Sequence, residues 1–154
     1  MRLSLVASLS LLFAAGALAA PLSKQAALKI MHERHQGMEA VGKANKLLRR
    51  EVTADKPDLA AVRKAAAQIS SLAGKSSKWF PAGTGPDVGK TGAKPEIWKS
   101  PRDFAAKTRD FQAASKALHQ AAAKGDAGAI KASYASLGKT CKACHDTYRT
   151  DMHH

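Results

Sequence analysis

The sequence contains few aromatic residues and almost no cysteine. Aromatic side chains make up 5% of its 154 residues, and the chain has two cysteines. Because alanine is abundant instead, we expect a core of helices with small contacts and not a β-sandwich. Two cysteines also leave no second cysteine pair for a structural zinc site. Composition therefore favours an all-α fold.

Catalytic motifs and long apolar runs are missing as well. The sequence shows no paired carboxylates, no serine or cysteine triad and no phosphate-binding glycine loop at a convincing spacing. After residue 20, no apolar stretch is long enough to cross a membrane as a helix. We therefore predict a protein that is not an enzyme and has no transmembrane segment.

The first twenty residues predict export. Arg2 gives a positive start, residues 3–15 are mostly apolar, and residues 16–20 are mostly small, which is the pattern of a cleavable signal peptide. We predict a signal peptide at 1–20, a single domain at 21–154 and a periplasmic location for the mature protein.

Acidic residues are scarce relative to basic ones. The chain has 25 Lys and Arg against 12 Asp and Glu, which gives a formal net charge of +13. Such a balance often indicates nucleic-acid binding, but for an exported protein it favours an acidic protein partner or an anionic membrane surface. A solubilising surface with no single partner is the alternative. We predict no nucleic-acid partner.

Both cysteines belong to one motif near the end of the chain. Cys141 and Cys144 lie three residues apart, and His145 follows directly. Each sulfur can add across a vinyl group of haem, and the imidazole can then bind the iron. A redox dithiol is expected near a βαβ pattern, and a disulfide over so short a loop would constrain little of the unfolded chain. The motif predicts one covalently attached haem c.

Apolar residues that recur every three or four positions predict four helices. Residues typical of helix starts precede or begin them: Ser23, Pro57, Ser100 with Pro101, and Asp126. Gly74 and Gly125 are expected to end the second and third helices. The segment 75–99 has no sustained periodicity, but its large apolar residues predict a crossover that packs against the bundle.

Two helical stripes carry the residues of most interest. Arg34 and Met38 lie one turn apart on the inward face of the first helix, and a buried arginine needs an anionic partner such as a haem propionate. Periodicity alone favours an arginine that snorkels to water and a methionine that fills the core. In the fourth helix, the same spacing of three and four residues places Cys141 and Cys144 on the buried face. His145 lies one position further round the helix.

The chain resembles the class II c-type cytochromes, the family of cytochrome c′. The resemblance rests on Arg34 with Met38, on the runs 80–85 and 93–98, and on the run 141–149. It implies an antiparallel four-helix bundle with a long crossover between helices 2 and 3 and one haem c. It also implies thioether bonds to both cysteines, His145 as the proximal iron ligand, Arg34 near a propionate, and Met38 on the distal side.

Two functions follow from the resemblance. In the leading one, that of the low-spin branch, His145 and Met38 are both axial ligands, and the protein transfers electrons to a redox partner with an acidic surface. In the alternative, Met38 shields a five-coordinate iron that binds nitric oxide or carbon monoxide. The resemblance also implies a possible homodimer through the first two helices, which exposed cations could oppose: Lys43, Lys46, Arg49 and Arg50.

Overall fold

A computed structural model describes residues 21–150 as helices joined by turns and one long crossover. The predicted signal peptide, 1–20, and the last four residues lie outside the described range. The helices are α1 Lys24–Val52, α2 Leu59–Ser76, α3 Glu96–Lys99, α4 Pro101–Lys124 and α5 Ala127–Tyr148. The four long helices confirm the predicted all-α class and the crossover between the second and third of them. The single turn of α3 lies within that crossover and was not predicted.

Local capping signals explain most helix ends. The Ser23 hydroxyl accepts a hydrogen bond from the Ala26 amide at 3.2 Å, and the Asp126 carboxylate accepts one from the Ala129 amide at 3.0 Å. Gly125 ends α4 in the left-handed region with φ 76°, where glycine has no steric penalty. These three predictions are confirmed.

The predicted ends of α2 were wrong by two residues each. Pro57 precedes the helix, which begins after Asp58, whose carboxylate accepts hydrogen bonds from the Ala60 and Ala61 amides at 2.9 and 3.0 Å. Because this carboxylate satisfies the first free amides, it sets the start. Gly74 does not end the helix because its φ is not positive, so the backbone continues to Ser76.

Three of the four neighbouring pairs of long helices pack extensively against each other. Helix α1 packs on α2, α2 on α4, and α4 on α5, whereas the pairing of α1 with α5 is sparse. Buried aliphatic residues of these four helices form the core cluster, among them Leu48, Val62, Ile69, Leu118, Ile130 and Leu137. No helix within residues 21–150 is long and apolar enough to span a bilayer.

The crossover is ordered against the bundle, as predicted. Trp79 and Ile97 are buried, with 7% and 4% of their surface exposed. The Trp98 indole donates hydrogen bonds to the carbonyls of Phe80 and Pro81 at 3.2 and 3.0 Å. The Trp98 bonds hold the two ends of the crossover together, and the Trp79 ring packs against Gly37 in the middle of α1.

Candidate haem site

The cysteines of α5 are less buried than their helical stripe predicts. Leu137 and Tyr148, on the same stripe, are 1% and 3% exposed, but Cys141 and Cys144 between them are only half-buried. Cys141 still packs against the core cluster, so this side of α5 faces the bundle. The contact between α1 and α5 is sparse, so protein atoms cover this part of α5 less than its α4 side.

The inward stripe of α1 also contains half-buried residues between buried ones. Arg34 and Val41 are buried, yet Met38 and Asn45, in the same stripe, are half-buried. At 100° per residue, both project from the side of the stripe away from Ala44, which packs in the core cluster with α2. Half-buried stripe positions therefore occur on both α1 and α5, the two helices that contact each other only sparsely.

Met38 lies at about the level of His145. Side-chain contacts through Phe80 and Phe104 link Arg34 on α1 to Tyr148 on α5. Met38 follows Arg34 by four residues, and His145 precedes Tyr148 by three. Because α1 and α5 run antiparallel, both residues lie about one helical turn from these contacts and on the same side of them. The two predicted axial residues therefore lie at a similar height in the bundle.

A row of stacked side chains lies between α1 and α5. The Arg34 guanidinium lies 4.9 Å from the centre of the Phe80 ring. Phe80 meets Phe104 edge-on at 4.8 Å, and Phe104 meets Tyr148 edge-on at 5.2 Å. The row links α1, the crossover, α4 and α5, and its α5 member, Tyr148, lies one helical turn after Cys144.

Arg34 is buried rather than snorkelling, with 4% of its surface exposed. Its Nη1 donates to the Trp79 carbonyl at 3.2 Å and the Thr84 hydroxyl at 3.4 Å, and its Nη2 donates to the Thr84 carbonyl at 3.1 Å and the Thr91 hydroxyl at 2.9 Å. Burial lowers its pKa to about 10, so it stays charged at neutral pH. No carboxylate within residues 21–150 forms an ion pair with it. Its role beside a propionate stays a prediction.

The donor groups of the motif suit a haem better than a protein-only metal site. Burial raises the pKa of both thiols, Cys141 and Cys144, and burial followed by the charge of Arg149 lowers the pKa of His145. The imidazole is therefore neutral at pH 7, the form that binds iron. In the described part of the chain, no cluster of three or more His, Cys, Asp or Glu could hold a metal ion. One neutral imidazole and two neutral thiols, all half-buried on the same helix, fit a covalently held porphyrin.

Sequence reasoning found the motif but missed most of the surrounding framework. Asp103, in the first turn of α4, accepts a hydrogen bond from the Tyr148 hydroxyl at 2.5 Å. Burial and, next to it, this bond raise the pKa of Tyr148 to about 12. The partners are 45 residues apart, so no local pattern could have paired them.

Comparison with known proteins matches most of this chain. Residues 29–149 match the family model described as Cytochrome C′. The chain is 36% identical to cytochrome c′ of Pararhodospirillum photometricum over 116 residues, which cover 75% of this chain and 92% of the relative. The crystal structure of cytochrome c′ from Thermochromatium tepidum has a TM-score of 0.75 at 31% identity and covers 86% of this chain and 100% of its own. A nitric oxide complex of a mutant cytochrome c prime from Alcaligenes xylosoxidans has a TM-score of 0.72 at 27% identity, with coverages of 83% and 97%.

Proposed function

Because the chain belongs to the cytochrome c′ family, which carries one covalently attached haem c, we propose that it is a periplasmic protein that binds small uncharged ligands at a five-coordinate iron. Nitric oxide and carbon monoxide are the ligands expected. The observation that carries this proposal is the family match over residues 29–149. The nitric oxide complex of a relative supports the ligand class. The comparisons do not support the low-spin His/Met branch of the leading sequence prediction.

In this proposal, each residue of the candidate site has a separate role. A haem c would supply an iron that binds a diatomic ligand. Cys141 and Cys144 would hold it against α5 through thioether bonds, and His145 would offer its neutral imidazole to the iron. Met38 on α1 would place an apolar thioether near the ligand, which would disfavour water and anions there.

Optical spectra of the haem-loaded protein test the coordination. We expect a high-spin ferric spectrum and a ferrous form that binds carbon monoxide readily. Met38→Leu, which keeps an apolar cover but removes the sulfur, should leave the spin state unchanged. Met38→Ala should speed ligand association because it reduces the cover. A low-spin wild type that ignores carbon monoxide and becomes high-spin in Met38→Leu would contradict the proposal.

That contradicting result would support a second function, electron transfer with Met38 as the sixth ligand. The specific observation in its favour is that Met38 and His145 lie about one helical turn from the same contacts between α1 and α5, on the same side of them, as a pair of axial ligands requires. A thioether opposite imidazole raises the reduction potential, and a six-coordinate iron rearranges little on electron transfer.

A basic surface on α1 supports an acidic protein as partner. Four exposed side chains line it: Lys43, Lys46, Arg49 and Arg50. Among the described residues, only Arg50 of these four has a carboxylate partner, Glu51 at 2.7 Å. This surface lies on the same helix as Met38, toward its carboxyl end. We infer that it attracts an acidic redox partner and opposes a homodimer through α1 and α2.

Electron exchange with the anion hexacyanoferrate tests this surface. The rate should fall as ionic strength rises, and Lys43→Glu with Lys46→Glu should lower the low-salt rate several-fold. Lys116→Glu with Lys124→Glu, two exposed positions of α4, is the control with the same change in net charge. Equal effects of the α1 and α4 changes would refute a localised surface, and sedimentation of the same proteins would reveal a homodimer.

A further inference from the structure

The crossover connects buried Arg34 to the carboxyl end of α5, the helix that carries the haem motif. Arg34 donates four hydrogen bonds to crossover oxygens, and the shortest, at 2.9 Å, ends on the Thr91 hydroxyl oxygen. A buried guanidinium held this way has little freedom, because each broken bond would leave a charged donor without a partner. Thr91 is therefore attached to α1.

Thr91 also shapes the segment that follows it. Its hydroxyl oxygen accepts a second hydrogen bond, from the Ala93 amide at 3.1 Å. With Arg34 as the other donor, both lone pairs of that oxygen are occupied. One side-chain atom thus fixes the path of residues 91–93 relative to α1.

Residues 92–94 then hold the end of α5. The Lys94 amide donates to the Tyr148 carbonyl at 2.9 Å, and the Thr150 amide donates to the Gly92 carbonyl at 2.9 Å. These two bonds flank an antiparallel bridge between Ala93 and Arg149. We call this pair of bonds the terminal clasp. It joins the crossover to Tyr148, the last residue of α5, and to Thr150, which lie three and five residues after His145.

We propose that Thr91 is a positioning residue: it couples Arg34 to the terminal clasp and so fixes the orientation of the His145 imidazole toward the haem. The inference rests on the proposed role of His145 as iron ligand. Helix α5 contacts α1 only sparsely, so the clasp replaces the lateral support that this side of the bundle lacks. The bond from Tyr148 to Asp103 anchors the same turn to α4.

The test uses the haem-loaded protein and three threonine variants. Thr91→Val keeps the side-chain shape but removes the acceptor oxygen, and Thr91→Ser restores it. Thr53→Val is the matched control, since the Thr53 hydroxyl bonds only to neighbouring carbonyls at the exposed end of α1. Hydrogen exchange of the Lys94 and Thr150 amides reports the clasp, and the iron–imidazole stretching band in resonance Raman spectra reports the ligand.

In Thr91→Val we expect exchange at both amides to accelerate about tenfold or more and the iron–imidazole band to shift or broaden. Thr91→Ser and Thr53→Val should behave as wild type. Faster exchange with an unchanged band would overturn the positioning role, and unchanged exchange would overturn the coupling itself. A wild-type protein without any iron–imidazole band would instead refute the proposed function. The exchange rates would still test whether Thr91 is coupled to the terminal clasp.

Discussion

Gly37 is a position where adding one methyl group should distinguish between two opposing effects. Glycine inside a helix is less favourable than alanine by about 1 kcal/mol, so replacement alone should stabilise α1. A Cβ built on Gly37, however, would lie 2.4 and 2.5 Å from two indole carbons of Trp79, where ordinary contacts begin at 3.4 Å. The methyl group therefore overlaps the ring.

The indole has little room to retreat. Trp79 is 7% exposed, and its carbonyl accepts a hydrogen bond from Arg34. Overpacking of this kind costs about 1–3 kcal/mol. Set against the helix gain, Gly37→Ala should leave the free energy of unfolding unchanged or lower it by up to about 2 kcal/mol.

Gly42→Ala provides the matched control on the same helix. Nothing lies within 4 Å of a Cβ at Gly42, so this change should raise the free energy of unfolding by about 0.5–1 kcal/mol. Guanidinium denaturation of the haem-loaded proteins, followed by far-UV circular dichroism, measures the difference. Trp79→Leu should relieve the penalty at residue 37 in a double-mutant cycle. If Gly37→Ala stabilises as much as Gly42→Ala, the close packing of Trp79 on α1 is refuted.

Further predictions concern caps, acid stability and the core. Asp58→Ala should lower the free energy of unfolding by about 1 kcal/mol, whereas Ser100→Ala should have a much smaller effect because its side chain makes no capping bond; equal losses in denaturant titrations would contradict this. The Asp58 amide and Arg50 hold the pKa of Glu51 below its ordinary 4.5, so its contribution to stability is present above that pH and lost as pH falls through the lowered pKa. Wild type should therefore lose its advantage over Glu51→Gln only below about pH 4.5, and a constant difference down to about pH 3 would refute this. Leu118→Ala, at a position with no exposed surface, should cost about 2–5 kcal/mol, and a loss under about 1 kcal/mol would show that the core collapses around it.

The helices were predictable because their signals are local. The Ser23 and Asp126 caps act on amides three residues away, and the stripes of α1 and α5 repeat within single turns. The start of α2 was misplaced because Pro57 and Asp58 are both start signals, and only the geometry of the carboxylate decides between them.

The hydrogen bonds around the site were not predictable because they join residues that are far apart in the sequence. Arg34 and Thr91 are separated by 57 residues, and Asp103 and Tyr148 by 45, so only the folded topology brings them together. The short helix α3 was missed because four residues carry no periodicity.

The incomplete burial of Cys141 and Met38 also bears on how the sequence encodes its cofactor. An apolar stripe predicts burial, but it does not state whether protein or another apolar body covers it. The stripes of α1 and α5 contain both buried and half-buried residues, and these two helices contact each other only sparsely. The periodicity therefore predicts burial of more stripe residues than the packing of the four helices achieves. A planar macrocycle attached at Cys141 and Cys144 would account for that difference, so the haem serves as a packing element as well as the site of ligand binding.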